Sequence, residues 1–349
     1  MDKSALPEHP TAPTAAALAP AARGWAAPGA EIYAALDLGT NNCRLLVARS
    51  QGRGFRVIDA FSRIVRLGEG LAASGTLAEA AMARALAALR ICAGKLAHRR
   101  VTHARYVATE ACRRAANCSE FLERVELETG IPLEIISSDE EARLVVAGCA
   151  PLLDRRVPHA LVFDIGGGST ELVWLSVPRD PHAAPRVQDS VSLPNGVVTL
   201  TDRYGGREVP EATYAAMVAE MRAALAPFEE RNRIAPRIAR GEVQMLGSSG
   251  TVTTLAGIHL DLPRYNRALV DGTALSFDCV RSVSARLVGL DYEARVAHPC
   301  IGGDRADLVL AGCAVLEAIC EIWPVGRLRV ADRGIREGIL IGLMGAGAR

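Results

Sequence analysis

Tyr33-Ala34-Ala35-Leu36-Asp37-Leu38-Gly39-Thr40-Asn41-Asn42 and Ala160-Leu161-Val162-Phe163-Asp164-Ile165-Gly166-Gly167-Gly168-Ser169-Thr170 spell the same local structure twice. In each, a short apolar run ends on Asp-x-Gly and a strand-like stretch resumes behind it, at Cys43–Arg49 and at Glu171–Val177. The two aspartates stand 127 residues apart. Such a run reads as a buried strand. The turn at its end puts a carboxylate at the edge of a sheet, beside glycines whose neighbouring N–H groups can converge into an anion-binding nest. One such turn is common in loops. Two in equivalent positions predict a duplicated α/β unit, and therefore two similar lobes with a cleft between them.

Working outward, Tyr33–Leu38, Cys43–Arg49 and Phe55–Val65 read as three strands of an antiparallel meander. Thr76-Leu77-Ala78-Glu79 has capping-box form, and Met82, Leu86, Leu89, Ala93 and Leu96 follow at helical spacing. A strand at Ala104–Thr109, a helix at Ser119–Thr129, a strand at Pro132–Ile136 and a helix at Asp139–Leu152 complete the first copy. In the second, helices are expected at 210–231 and 305–322, strands at 243–247 and 327–331, and a last helix from about 334. The division is expected near residue 138: lobe one over 31–138, lobe two over 139–335, with the final helix (336–349) returning to the first lobe. Residues 1–30 are rich in Ala and Pro without periodicity and read as a disordered tail. Pro20 interrupts their one apolar stretch and no basic segment precedes it, so no signal peptide is expected.

The chain has 349 residues, half of them hydrophobic, enough for a large core. Its net charge of +1 offers no general field for nucleic acid or a membrane surface, so any polyanion must meet a local patch. No apolar run is long enough to span a membrane. Nine cysteines include no CxxC pair and read as buried, reduced thiols, which fits the cytoplasm. Arginine suits bidentate phosphate binding, but 38 arginines against two lysines is a bias of the whole chain and marks no single position. Neither Lys3 nor Lys95 closes a GxxxxGK loop, which excludes a Walker A site.

A carboxylate beside a phosphate nest calls for a cation between them, and Mg²⁺ held through one or two carboxylates plus waters is the usual answer. Leu246-Gly247-Ser248-Ser249-Gly250-Thr251 is a third glycine corner, opening a helix whose N-terminus could meet phosphate oxygens; an ordinary strand-to-helix turn fits as well. Ser138-Asp139-Glu140-Glu141-Ala142-Arg143 heads the helix that joins the lobes. Ser138-x-x-Glu141 fits a capping box, in which Glu141 ties off a backbone N–H. At a cleft hinge the same Glu141 could instead act as general base on a water. Arg44 and Arg305 are placed either to clamp a phosphoryl group or to form surface ion pairs. Asp332-Arg333-Gly334-Ile335-Arg336-Glu337-Gly338 shapes the cleft floor or is a plain strand-to-helix turn.

Together, Asp37-Leu-Gly-Thr-Asn-Asn, Ala108-Thr-Glu-Ala-Cys-Arg-Arg-Ala, Ile136-Ser-Ser-Asp-Glu-Glu-Ala-Arg, Asp164-Ile-Gly-Gly-Gly-Ser-Thr-Glu, Gly247-Ser-Ser-Gly-Thr and Asp332-x-Gly-Ile-Arg-Glu-Gly resemble the exopolyphosphatase and guanosine pentaphosphate phosphohydrolase (Ppx/GppA) family, over about residues 31–345. The resemblance implies an actin-like (ribonuclease H-like) duplicated fold in its short two-domain form, and often a homodimer. It implies Mg²⁺- or Mn²⁺-dependent removal of a terminal phosphate. It carries the general base onto Glu141, phosphate binding onto Asp37, Gly39, Asn41, Arg44, Gly166, Gly167, Ser169, Thr170, Gly250 and Arg305, and metal binding onto Asp164, Glu171 and Asp37. No stretch marks a guanine pocket, which puts inorganic polyphosphate ahead of guanosine pentaphosphate as substrate. A phosphotransferase and a non-catalytic actin-like scaffold share the fold and stand behind both, because a water-activating Glu does not suit a kinase.

Overall fold

A computed structural model describes residues 31–52 and 54–346. The expected tail, residues 1–30, and the last positions of the expected final helix lie outside the described residues.

The first lobe is built on a five-stranded sheet of β1 (Ile32–Leu38), β2 (Asn42–Gln51), β3 (Gly54–Ile64), β4 (His103–Ala108) and β5 (Glu134–Ile135), in the order β3-β2-β1-β4-β5. β1, β2 and β3 are antiparallel neighbours, whereas β4 runs parallel to β1 and β5 parallel to β4. The second sheet holds β6 (His159–Ile165), β7 (Thr170–Ser176), β8 (Arg186–Leu193), β9 (Val243–Ser248), β10 (Ala274–Ser276) and β11 (Arg327–Ala331), in the order β10-β11-β9-β6-β7-β8. Here β6, β7 and β8 are antiparallel, β9 is parallel to β6, and β11 to β9. The five strands β6, β7, β8, β9 and β11 thus repeat β1 to β5 in order and direction, and β10 is an antiparallel addition at the edge. This is the duplicated, actin-like α/β architecture.

β1 and β6 are central strands covered on both faces, which is why both read as continuous apolar runs rather than alternating ones. Within β1, Ala34, Leu36 and Leu38 face an outer core with Leu86, Leu89, Phe121 and Val125 of helices Glu79–Arg99 and Cys118–Thr129. Tyr33 and Ala35 face the opposite way, into a core shared by both lobes. The outer face of the second sheet is closed by helices Glu211–Asn232, Gly250–His259 and Val309–Ile322, through Phe163, Met217, Leu255 and Leu316.

The shared core holds helices Ser138–Cys149 and Ile335–Ala346. The first follows β5 yet packs on β7, β8 and β9, and the second follows β11 yet packs on β1 to β4. Each lobe's last helix therefore covers the other lobe's sheet. At their crossing the backbones touch: a Cβ on Gly148 would run into the Gly334 carbonyl, and one on Gly338 into that of Leu144.

Two expected details differ. The helix starting at Glu79 has Ala78 as N-cap with no side-chain cap, so the Thr76 capping box does not form. Asn117, distant in sequence, takes the Leu77 N–H instead (2.8 Å). The helix expected over 305–322 begins only at Val309, because residues 303–308 form turns. None of the nine cysteines is bridged, and eight are buried. Among the described residues no helix is long and apolar enough to cross a membrane.

The crossing gives a test of the packing. Gly338→Ala should destabilise the protein by about 1–3 kcal/mol, because the backbone of the facing helix must shift. Gly342→Ala, where nothing lies within 4 Å, should instead stabilise it by about 0.4–1 kcal/mol. Urea denaturation of the two variants measures both signs.

Candidate active site

The two Asp-x-Gly turns are built alike and face each other. The register pairs Asp37 with Arg44 across β1 and β2, and Asp164 with Glu171 across β6 and β7. Each turn is closed by the same hydrogen bond, from Gly39 N–H to the Asn42 carbonyl and from Gly166 N–H to the Ser169 carbonyl, both 2.9 Å. Their carbonyls are tied away from the gap. Gly68 and Val65 donate to those of Thr40 (3.0 Å) and Asn41 (2.8 Å), and Val197 and Val198 to those of Gly166 (2.9 Å) and Gly167 (2.8 Å). The N–H groups of Thr40, Asn41, Gly167, Gly168 and Ser169 find no acceptor among the described residues. That leaves converging donors on both walls, the arrangement that binds oxyanions. The turns abut closely: a Cβ on Gly167 would stand 3.0 Å from that of Asn41, and one on Gly168 2.6 Å from Thr40 Oγ1. Only glycine permits this approach.

Glu141 reaches the gap from the start of helix Ser138–Cys149 and is 6% exposed. The cap of that helix is Ser137, whose hydroxyl accepts from Glu140 N–H at 3.2 Å. The capping role considered for Ser138 and Glu141 is therefore displaced by one residue, and Glu141 is free for other work. Its Oε2 accepts from Arg113 Nη1 (2.7 Å), while Oε1 takes no hydrogen bond from the described residues. Arg113 is itself held by Glu110, with Nε at 3.1 Å and Nη2 at 2.9 Å, and by the Ile136 carbonyl at 2.9 Å. The carboxylate is oriented through one oxygen and presents the other.

Asp37, Gly39, Asn41, Arg44, Glu141, Asp164, Gly166, Gly167, Ser169, Gly250 and Arg305 all line this one cleft. Two expected residues do not. The Thr170 hydroxyl is fully buried and donates to the Asn195 carbonyl at 2.6 Å, so as a phosphate ligand Thr170 is corrected to a support of the turn. Glu171 stands behind the wall, its Oε1 accepting from Ser169 (2.5 Å) and Ser192 (2.9 Å). The third corner meets the cleft where Ser249 caps helix Gly250–His259 through Val252 N–H (3.0 Å), and Arg305 Cζ lies 3.7 Å from where a Cβ on Gly250 would be. Arg44 and Arg305 have no ion-pair partner among the described residues, which leaves them to an anion rather than to surface pairs.

Sequence reasoning quoted Glu110 and Arg113 within a motif but gave them no task, because two adjacent arginines and a glutamate look like a surface helix face. It also passed over Arg44 and Glu171 as counterparts, although their numbers differ by the same 127 as the aspartates.

Acids crowd the gap. Burial pushes Glu141 up to about 8, with Glu171 adding to the rise and Arg113 opposing it. Burial, then Glu141, raises Asp164 to about 7, and burial raises Glu171 to about 7 against the pull of the Ser169 hydroxyl. Asp37 is raised by burial and pulled back by Arg44 and Arg336. Its Oδ1 is buried without a hydrogen-bond partner among the described residues. A divalent cation fits this donor set: one orphaned carboxylate oxygen, a second aspartate across the gap, and acids that resist ionising without a positive partner. Among the described residues no three such side chains are close enough to form a complete protein cage. Mg²⁺ needs none, since it keeps waters and takes phosphate oxygens.

The Ppx/GppA phosphatase family model matches residues 46–346. A guanosine-5'-triphosphate,3'-diphosphate pyrophosphatase of Aeromonas hydrophila is 32% identical over 321 residues, covering 90% of this chain and 60% of that protein. The chain thus spans about 60% of the length of the curated relatives it matches. The crystal structure of the Aquifex aeolicus family member superposes with a TM-score of 0.73 at 26% identity, over 91% of this chain and 99% of the other. An exopolyphosphatase from Cytophaga hutchinsonii shares the fold at a TM-score of 0.80 and 24% identity, over 90% and 98%.

The acid cluster sets an unusual pH dependence of stability. Asp164, Glu171 and Glu141 bind protons in the folded state that they release near pH 4 when unfolded, so stability falls as pH rises from about 4 to 8. Asp59 acts oppositely. Lys95 and then Arg99 hold it down at about 2, so its contribution is present above about pH 4 and lost below. The metal-free protein should therefore melt highest between about pH 4 and 6, and Mg²⁺ should raise the melting temperature more at pH 8 than at pH 5. Calorimetry across that range, with and without Mg²⁺, reads both.

Proposed function

The chain belongs to the Ppx/GppA phosphatase family, and from that premise we propose that it hydrolyses phosphoanhydride bonds, releasing orthophosphate from the end of inorganic polyphosphate. The observation that carries the proposal is the meeting of the two Asp-x-Gly turns around a gap into which Glu141 also reaches. The free N–H groups of residues 40, 41 and 167–169 would hold the oxygens of the terminal phosphoryl group, and Arg44 and Arg305 the next phosphate. Glu141, fixed by Arg113, would orient the attacking water through Oε1 and take its proton. Mg²⁺ or Mn²⁺ held by Asp164 with Asp37 would neutralise charge on the phosphoryl oxygens. Glu171 would act from behind, fixing Ser169 and adding to the local negative charge.

A second reading rests on a separate observation. A cavity of about 540 Å³ adjoins the cleft at Arg44, Gly250 and Arg305, and its walls include Phe61, Tyr265, Pro299, Ile301 and Arg336. Arg44, Arg267, Arg305, Arg333 and Arg336 also line it, which suits phosphates, but its aromatic and apolar residues would serve a nucleoside and not a linear polyphosphate, and they support the guanosine pentaphosphate reading. Such a pocket is invisible along the chain because its walls come from residues near 61, 265, 300 and 336.

Two measurements test these readings. Glu141→Gln should lower the rate of phosphate release by about 10²–10⁴-fold while the protein melts as a folded unit; near-normal turnover would remove Glu141 from the mechanism. Polyphosphate and guanosine pentaphosphate should be compared side by side in wild type and Tyr265→Ala. Loss confined to the nucleotide assigns the cavity to the nucleoside, and equal loss denies it that role.

A further inference from the structure

We infer that Arg66 is a positioning residue that aims Arg305 into the cleft and makes that placement depend on closure of the two lobes. The inference rests on the hydrolase reading and adds a residue to it.

Arg66 follows β3 in a left-handed backbone conformation (φ 47°), which a non-glycine residue keeps only where its surroundings demand it. Three contacts supply that demand. Its N–H donates to the Asn41 carbonyl at 3.1 Å, beside the Val65 N–H on the same oxygen at 2.8 Å, so the segment is fastened directly to the first phosphate turn. Arg84, from helix Glu79–Arg99, grips the segment from outside, donating to the carbonyls of Val65 (2.8 Å) and Arg66 (3.2 Å) and pairing with Glu69 (2.6 Å). With its backbone held by the first lobe, Arg66 sends its guanidinium to the second. Nη1 lies 2.8 Å from Asp307 Oδ2, and Nη2 donates to Asp307 Oδ1 at 2.9 Å and to the Asp304 carbonyl at 3.3 Å.

Those acceptors bracket Arg305. The segment around it is a series of turns before helix Val309–Ile322, tied to the second lobe by the buried Ala306, by the Arg305 carbonyl accepting from the Leu308 and Val309 N–H groups (3.0 Å each) and by the Thr201 hydroxyl donating to the Asp307 carbonyl at 3.4 Å. Among the described residues the Arg305 N–H reaches only the Gly302 carbonyl (3.2 Å), and its guanidinium has no ion-pair partner. What holds the segment against the first lobe is therefore the two-pronged grip of Arg66. Both partners are partly shielded from water, with side-chain exposures of 31% and 16%. A bidentate, partly buried pair of this kind escapes the weakness of ordinary surface ion pairs. Opening the cleft must break it, and Arg305 then loses its alignment with the turn at Asn41. Binding of a phosphate chain by Arg305 and closure of the lobes become one event.

The test uses Arg66→Ala, Arg66→Lys, Arg305→Ala, the double variant Arg66→Ala/Arg305→Ala, and the exchanged pair Arg66→Asp/Asp307→Arg. Phosphate release from polyphosphate is followed with kcat and KM resolved, and small-angle scattering follows compaction on adding tripolyphosphate with Mg²⁺. Arg66→Ala should lower kcat/KM on the order of tenfold to a hundredfold, mostly through KM. The double variant should be no worse than Arg305→Ala alone. Arg66→Lys should recover part of the loss, and the exchanged pair should recover compaction. Effects of the two arginines that multiply, or unchanged KM in Arg66→Ala, would overturn the inference. If Arg66→Ala does not fold, Arg66→Lys, which keeps the charge and loses the fork, decides by the same criteria. If wild type releases no phosphate, the hydrolase reading falls. Tripolyphosphate-induced compaction that disappears in Arg66→Ala would still support the clamp, and its full persistence there would refute it.

Discussion

Asp37, Glu141 and Asp164 line one gap with Glu171 just behind its wall, and the cost of burying these carboxylates, with their mutual repulsion added to it, is the constraint around which the molecule is arranged. Ionised carboxylates so placed are costly without a compensating charge, and the raised proton affinities record that cost. Protein cations offset part of it. Arg113 neutralises Glu141 directly, and Arg44 and Arg336 act on Asp37. The remainder calls for positive charge from outside the chain. On the proposed reading a divalent cation held by the aspartates would supply it, and the oxyanion donors on both turns would take the phosphate oxygens that come with it. Acid crowding, free amides and unpaired arginines are parts of a single balance.

The duplication explains how both walls acquired the same shape and why they carry different charge. Turn geometry, strand pairing and the outward-tied carbonyls repeat from one lobe to the other. At the position across the strand from each aspartate the copies diverge, Arg44 in one and Glu171 in the other. A strictly repeated arginine would leave too little negative charge for a divalent ion, and a strictly repeated glutamate too much for a phosphate. On the proposed reading the divergence would give one wall an affinity for the anion and the other an affinity for the ion that accompanies it.

Much of this was legible in the sequence. The two apolar runs ending on Asp-x-Gly are local signals, and local signals survive without knowledge of the fold. Most of the strands and the long helices Glu79–Arg99, Glu211–Asn232 and Val309–Ile322 were found for the same reason, whereas strand β8 was not expected. What was missed depended on residues brought together from afar. Asn117, not Thr76, meets the start of helix Glu79–Arg99; Asn195 takes the Thr170 hydroxyl; and Arg113 reaches Glu141 from a different helix. The Ser137 cap differs from the expected one by a single residue, a shift that local pattern cannot resolve because two serines are adjacent. The short strand β10 and the helices Arg267–Val270 and Tyr292–Ala297 are too short to show a period, whereas helix Phe277–Val288 was missed although its buried residues recur at helical spacing.

The exchange of terminal helices between lobes has a bearing on how such a chain can be divided. A fragment ending near residue 150 would carry a five-stranded sheet with one face bare and a helix with no sheet to lie on, and the complementary fragment would have the same defect in reverse. Neither could reach a stable state alone, but each offers what the other lacks. Cutting the backbone in the segment between helix Ser138–Cys149 and β6 should therefore yield two insoluble pieces that regain solubility when expressed together, so that the molecule behaves as an intertwined pair joined by one peptide segment.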